Sequence, residues 1–578
     1  MHVYKIALNF LHADSSLVLI KDDKIIFAIE EERLQRIKHF SGFPVLSFKY
    51  VFKKFNISLQ DISEIYVNFD HKYNLIYRIF FLFKSFYKVN FLKKINLLLK
   101  KKNLLKIIEY NLGSNFKGKI IFQSHHLSHA GSAILCSNFK SGLCLTFDAS
   151  GDFSTTEIYK FNDGEITFLG KVLYPHSLGI LYQAITQYLG FKNYGDEYKV
   201  MGLSAYGKGT YVNQIKQLII FNETTGKFKL NLKYFIHQNI NFTNYSLGIP
   251  VFENLYDYKL DELLGGARFG NEKINQRHKD IAKSLQIVFE ETLFKILNFW
   301  NKQYNYENLC IAGGCALNSL ANGKIIKNSK FKNIYIPINP SDGGGAIGSF
   351  YTKISKNFNM ESVFLGTEYS NKEIKKIITE NSNNFKKNKI TSNYFDQVND
   401  LVDFTANEIV KSKVIGWFQG KMEFGARALG NRSILANPLN PDMKKIINRK
   451  IKFREKFRPF APSILENHLQ EFFITNEIKK IPYMNLILNI KNKYKKLIPS
   501  VVHHDNTCRV QTVNIKENYR YFKLIESFYK KTGVPILLNT SLNVNEPICE
   551  SPQDAINCFL KTDMDILILN NHVLKKNS

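Results

Sequence analysis

Apolar and polar residues alternate through "HVYKIALNF" and "DSSLVLIKDDKIIFAIEEER" at the start of the chain. A period of two predicts strand, turn, strand, with the turn at Asp22-Asp23. "EEERLQRIKHFSGFP" then reads as a helix running into a Pro-bounded loop. The same alternation returns in "SGLCLTFDASGDFSTTEIYKFNDGEITFLGKV", with turns at "DASGD" and "NDGE". Residues 274–304 change to a 3.6-residue apolar period, which predicts a long helix. After it come strand "NLCIAGG", helix "CALNSLANGKII", strand "NIYIPINP" and loop-helix "SDGGGAIGSFYTKI". This is α/β alternation with glycines after the strands. Residues 353–400 are Asn/Lys-rich and weakly patterned and read as an interdomain connection, and "KVIGWFQG" starts a second α/β unit.

The strand-turn-strand unit with a polar turn thus occurs twice. A two-lobed ATPase fold of the actin/Hsp70 type would give that duplication, although hairpins are common. At 578 residues the chain is too long for one core. Apolar content of 44% and charged content of 22% suit a folded soluble protein, and no run approaches a membrane span. The N-terminus reads as a strand rather than a signal peptide. The cysteines number seven, without a C-x-x-C pair. Cys136, Cys144, Cys310 and Cys315 lie in or beside apolar runs and read as reduced core residues, which makes the cytoplasm the expected compartment. The net charge of +29 accompanies abundant Lys, Asn, Ile, Phe and Tyr, so part of it reflects compositional bias. The rest favours anionic ligands without choosing among them. Residues 72–119 are basic, aromatic and nearly free of acid. They read as an amphipathic helical hairpin, either an insertion packed on the body or a peripheral membrane contact.

Candidate chemistry begins at "QSHHLSHAGSA". On a helix His125 and His129 share one face and could grip one metal ion, whereas His126 points away; surface histidines at a polar helix start are the alternative. Asp148 ends a strand, where ligand crevices form, or else turns its own backbone. The glycines of "IAGGCALN" and "NPSDGGGAIG" would let backbone N–H groups approach a phosphate, with Asp342 beside a cation. They serve tight packing equally well. Lys199 lies in "YGDEYKVMGLSAYG", a substrate loop or a surface loop. In the second unit, Arg427, Arg432, Lys452, Arg454, Arg458 and Arg509 sit among Gly, Pro and Phe. Arginine in such settings suits bidentate contact to phosphate or carboxylate. "LLNTSLN" ends a strand in amides and hydroxyls, including Asn539 and Ser541.

Taken in order, "HADSSLVLIKDDKI", "HHLSHA", "DEYKVMGLSAYG", "GGCALN", "NPSDGGGAIG", "GWFQGKMEFGARALGNRSILANP", "KFREKFRPFAPS", "RVQTV" and "TGVPILLNTSLNVNEPI" resemble the O-carbamoyltransferase family of the NodU/CmcH type over nearly the whole chain. The resemblance implies an α/β fold of two domains. An actin-like ASKHA domain with duplicated lobes would occupy 1–355, with 72–119 as an insertion and 356–395 as a connection. A YrdC-like α/β domain would occupy 396–578. It implies ATP and carbamoyl phosphate as substrates, carbamoyl-AMP as intermediate, and a hydroxyl-bearing acceptor, a sugar or glycoconjugate, with no nucleic acid. His125, His129, Asp148 and Asp342 would be metal ligands, for which Fe(II) or Mn(II) is favoured, with Mg(II) accompanying ATP. Lys199, Gly313, Gly314, Asn318, Asp342, Gly343 and Gly344 would hold the nucleotide. Arg427, Arg432, Lys452, Arg458, Arg509, Asn539 and Ser541 would hold carbamoyl phosphate, and Arg427, Lys452, Arg458 and Arg509 would also offset charge during catalysis. His12 is the candidate general base and His39 the second choice. Ala426 stands where the family usually has Pro, which should only loosen a turn. A homo-oligomer is compatible with all of this. The rival readings are a tRNA threonylcarbamoyladenosine-type transferase, which the positive charge suits, and a non-catalytic actin/Hsp70-type nucleotide switch, which leaves the second domain's arginines without a role.

Overall fold

The computed structural model describes residues 2–84, 103–239, 243–246, 248–270, 272–354, 360, 362–455 and 457–577. The chain divides into two compact units, Met1–Met360 and Glu361–Ser578. Both are α/β.

The first unit contains one strand arrangement twice. β1 (Tyr4–Asn9), β2 (Ser16–Lys21), β3 (Lys24–Glu30), β4 (Ile62–Val67) and β5 (Lys119–Phe122) form a sheet in the order β3-β2-β1-β4-β5. The β1, β2, β3 trio is antiparallel, and β4 and β5 are parallel to β1. β6 (Ser141–Gly151), β7 (Ser154–Asn162), β8 (Glu165–Leu173), β9 (Asn308–Ala312) and β10 (Asn333–Tyr335) repeat this as β8-β7-β6-β9-β10, again with three antiparallel strands and two parallel to the first. Asp22-Asp23 joins β2 to β3 with both residues at positive φ (49° and 61°), the conformation of a tight hairpin turn that follows strand twist. Asp163-Gly164 does the same between β7 and β8. The first sheet is buried by Ile6, Leu8, Leu17, Leu19, Phe48 and Val51, which form one core with the helix Val45–Phe55.

Each lobe ends in a strand followed by a helix: α1 (His125–Ile134) after β5 and α2 (Asp342–Ile354) after β10. These two helices touch backbone to backbone. A Cβ on Gly348 would lie 1.7 Å from the Ser128 carbonyl oxygen, and one on Gly131 2.5 Å from Thr352 and 2.7 Å from the Gly348 carbonyl oxygen. Only glycine permits so close a crossing.

In the second unit an eight-stranded sheet runs, by residue range, Ile390–Tyr394, His572–Lys576, Ile566–Leu569, Ile415–Phe418, Arg432–Ala436, Ile536–Ser541, Ala461–Leu465, Gln511–Val513. Its core packs Trp417, Leu435 and Ile568 against the helices Val398–Val410 and Tyr519–Thr532 through Leu401, Ile409, Tyr521 and Phe528. Residues expected as connection belong to this unit. They form the helices Asn371–Glu380 and Ser382–Lys387 and the edge strand Ile390–Tyr394, paired with the last strand. Ile374, Ile378, Phe385 and Ile390 are buried, and the exposed Asn and Lys between them masked that pattern in the sequence. Of the expected hairpin at 72–119, the helices Leu75–Lys84 and Leu104–Leu112 are described, and residues 85–102 lie outside the described residues.

Replacing Gly348 by valine forces the two helices apart. We expect Gly348→Val to destabilise the first unit by about 3 kcal/mol, measured by urea unfolding. An unchanged midpoint would mean that the crossing is not under steric control.

Candidate metal centre and cationic cluster

The helix crossing sets two histidines of α1 against the first residue of α2. His125 Nε2 lies 3.5 Å from Asp342 Oδ1 and 3.8 Å from Asp148 Oδ2. His129 Nε2 lies 3.4 Å from each of the same oxygens and 3.0 Å from His125 Nε2. Four ligands about 2.1 Å from one ion lie roughly 3.0–3.5 Å from one another, so all of these separations but the 3.8 Å from His125 to Asp148 match a single divalent cation. Both imidazoles are buried, and the two carboxylate side chains are only 16% and 14% exposed.

Local structure fixes each ligand. Asp148 sits where the β6–β7 register shifts, and its carboxylate accepts from Ala149 N at 2.7 Å and Gly314 N at 3.0 Å. A Cβ on Gly151 would lie 1.9 Å from the His125 ring. His125 N donates to Asp152 Oδ2 at 2.9 Å. His126 does not join the four: it is buried, with Nδ1 2.9 Å from Thr146 Oγ1. Burial, then the neighbouring His125 and His129, keeps it neutral, well below the ordinary imidazole range.

Without a cation Asp148, Asp342 and His129 compete for protons. Burial, then Asp148, pushes the Asp342 carboxyl up. Burial would also push Asp148 up, but His125 and His129 hold it well below the usual carboxylate range. Burial opposes charge on His129, yet Asp148 and Asp342 raise it to about 9. A divalent cation would satisfy both carboxylates and leave both imidazoles neutral.

His12 is the nearest candidate base, its ring centroid 5.2 Å from that of His125. His39 is a poor one. Its Nδ1 lies 2.7 Å from Asp14 Oδ1, and its backbone N–H donates to Glu32 Oε2 at 2.6 Å. Burial opposes its charge, but Asp14 and then Glu32 raise it to about 9, so it is already protonated at neutral pH and cannot accept a proton there.

The glycine-rich loops chiefly pack. Gly313 (φ 95°) lies against the Phe147 carbonyl and Gly344 against the Asn339 carbonyl, so a Cβ on either would strike the chain's own atoms, and Gly343 fits tightly against Asn339, Asp14 and Glu30. Gly314 leaves room for the Asp148 carboxylate. Asn318 caps the short helix Ser319–Asn322 and exchanges two hydrogen bonds with Gln286. Lys199 pairs with Asp196 at 2.8 Å. Sequence reasoning missed Asp14, Tyr194 and Glu197. Burial, then Asp14, Asp342 and Asp148, raises Tyr194, which places it among those carboxylates. Burial lifts Glu197 to about 7. The acids of "HADSS" and "DEYK" were the available signals.

The second unit collects positive charge. Burial, then Arg427, Arg454 and Arg458, drives the Arg509 guanidinium well down. Burial and then Arg454 lower Lys444. His503, also missed, is lowered to about 4 by burial; Asp505 opposes this, and Arg509 and Lys444 add to it. Two expected members of this site are structural instead. Arg432 is fully buried, stacks on Phe418 at 3.6 Å and donates to the carbonyls of Thr367, Gln419, Gly420 and Asn431. Both terminal nitrogens of its guanidinium are thus bonded within the chain. Lys452 Nζ is buried and donates to Ser541 O at 2.6 Å, Asn543 O at 2.9 Å and Asn543 Oδ1 at 2.7 Å. It ties down the turn after the strand Ile536–Ser541. Ser541 Oγ donates to Asn543 Oδ1 at 2.7 Å. Asn539 is buried and donates to Ala428 O, Ser463 Oγ and Gln511 Oε1.

Purified protein should carry about one equivalent of divalent metal per chain, by elemental analysis. His129→Ala and Gly151→Ala should each lose it, the first by removing a ligand and the second by displacing the His125 ring, while circular dichroism stays unchanged. Retention of full metal content by both variants would contradict this site.

A family model described as the carbamoyltransferase N-terminus matches residues 2–350, and one described as the carbamoyltransferase C-terminus matches residues 406–576. An uncharacterized protein of Synechocystis is 34% identical, covering 99% of this chain and 96% of that protein. Nodulation protein NolNO of Sinorhizobium fredii is 32% identical, covering 98% of this chain and 79% of its own length. The solved structure of full-length HypF in the phosphate- and nucleotide-bound form overlays with a TM-score of 0.32 at 12% identity, covering 61% of this chain and 47% of that chain. With both halves of the family matched in order, the chain belongs to the carbamoyltransferase family of enzymes.

Proposed function

We propose that this carbamoyltransferase uses ATP and carbamoyl phosphate to carbamoylate a hydroxyl of a sugar or other small molecule through carbamoyl-AMP. The observation that carries the reading is the cluster of Arg427, Arg454, Arg458 and Arg509, with Lys444 beside it. Burial, then Arg427, Arg454 and Arg458, lowers Arg509, and burial, then Arg454, lowers Lys444, because like charges have been gathered around them. A multiply charged anion would offset this gathered positive charge, and ATP with carbamoyl phosphate or carbamate is such a load.

Hydrolysis of carbamoyl phosphate gives carbamate and inorganic phosphate. A carbamate oxygen then attacks the α-phosphorus of ATP. The new O–P bond forms as the α–β anhydride breaks, and pyrophosphate leaves. The arginines offset the repulsion between the two anions as they approach. In the first unit the acceptor hydroxyl oxygen attacks the carbamoyl carbon, AMP leaves, and the hydroxyl proton passes to the His12 imidazole. A divalent ion held by His125, His129, Asp148 and Asp342, of which Fe(II) and Mn(II) suit the mixed donors, would supply a positive charge for the adenylate phosphate. His39, charged and paired with Asp14, adds a fixed cation near Glu197.

Pyrophosphate release from ATP should require carbamoyl phosphate, and Arg509→Ala should lower it by about 10²–10³-fold. His12→Ala should keep that release and lose transfer to the acceptor. Conversion of ATP to ADP regardless of carbamoyl phosphate would contradict the reading and favour a nucleotide switch. Steeply salt-dependent tRNA binding without carbamoyl-phosphate-dependent release would favour the tRNA-modifying alternative.

A further inference from the structure

The helix Leu75–Lys84 has two unlike faces. Its inner face, with Asn74 just before the first turn, is tied down. Arg78 is 9% exposed and reaches Asp152 Oδ1 at 3.2 Å. Asn74 Nδ2 donates to Asp152 O at 2.9 Å and to Ser154 Oγ at 3.0 Å. Phe81 packs edge-on against Phe153 and Tyr174 at 5.4 and 5.3 Å. The spacing 74, 78, 81 is one helical stripe. The outer face carries Leu75, Ile76, Tyr77, Ile79 and Phe80, all exposed, with Ile76 at 81% and Phe80 at 69%. Among the described residues no other element exposes more than two large apolar side chains.

Charge gives this face its partner. Across residues 72–106 the sequence has ten Lys or Arg and no Asp or Glu. An apolar helix face inside a long acid-free basic stretch, rich in Phe and Tyr, matches a surface that is greasy below and negative above. A second protein copy would bring the same positive charge to the contact, which repels. No helix among the described residues is long and apolar enough to cross a membrane, so the contact is with the surface of a bilayer.

We propose that the outer face of the helix Leu75–Lys84 docks on an anionic lipid surface, with Ile76, Ile79 and Phe80 inserted at headgroup depth. The inner face then relates that surface to the metal centre, because Asp152 receives Arg78 through one oxygen and the His125 backbone N–H through the other. This inference rests on the helix and its charge, independently of the reaction proposed above.

The test is co-sedimentation of the full chain with vesicles of phosphatidylcholine alone or with about one third phosphatidylglycerol. The wild-type protein should sediment with the anionic vesicles and remain in solution with the neutral ones. Ile76→Ser/Phe80→Ser keeps every charge, so attraction due to net charge alone is unchanged. It should nonetheless partition about tenfold or more weakly, with unaltered metal content and melting temperature. Equal binding by the double variant would overturn the proposal, as would absence of wild-type binding to the anionic vesicles. A wild-type dimer that the double variant dissociates would assign the face to a second copy and overturn it as well.

Discussion

Asp148 and Asp342 must share a nearly dry space with two imidazoles, and that constraint organises the first unit. Two carboxylates held this close repel, and each proton taken up by a histidine only partly relieves them. The chain accepts the arrangement because α1 and α2 cross on glycine. Gly131 and Gly348 remove the side chains that would separate the helices, and Gly151 removes the one that would strike the His125 ring. Gly314 leaves the space in which the Asp148 carboxylate receives its backbone N–H. The glycines therefore act first on the ligands of the candidate centre.

The duplicated sheet explains where those ligands come from. Each lobe runs through the same strand order and ends by sending a helix into the same crossing. His125 and His129 come from one lobe, Asp148 and Asp342 from the other. The second unit poses the opposite electrostatic problem. It gathers guanidinium groups around Arg509, which they help to lower, where the first sets Asp148 beside Asp342, whose carboxyl is pushed up by burial and then by Asp148. One arrangement asks for a cation and the other for an anion. The reaction proposed above has use for both.

Much of this could be read along the chain. Alternation located the hairpins, including the Asp22-Asp23 turn, and the i, i+4 spacing of His125 and His129 put both on one helical face. What could not be read was what each polar group touches. Arg432 and Lys452 carry the residue types of a phosphate site, yet Arg432 Nη1 and Nη2 bond main-chain carbonyls and Lys452 Nζ bonds Ser541 and Asn543, a fact set by strands distant in sequence. His39 looked like a base in the sequence, where its pairing with Asp14, twenty-five residues earlier, which favours the protonated ring, could not be seen. Asp14 itself gave no sign in the periodicity, because it lies in a loop at positive φ. The helices and edge strand within 371–394 were hidden by a compositional excess of Asn and Lys over a regular apolar stripe.

The central claim is that four side chains from two equivalent lobes hold one divalent ion. Anomalous diffraction at the manganese or iron absorption edge, from crystals grown with that metal, tests it most directly. The account predicts one strong peak about 2.0–2.3 Å from His125 Nε2, His129 Nε2 and an oxygen each of Asp148 and Asp342. A peak elsewhere with these four side chains unliganded, or no peak at saturating metal, would contradict it.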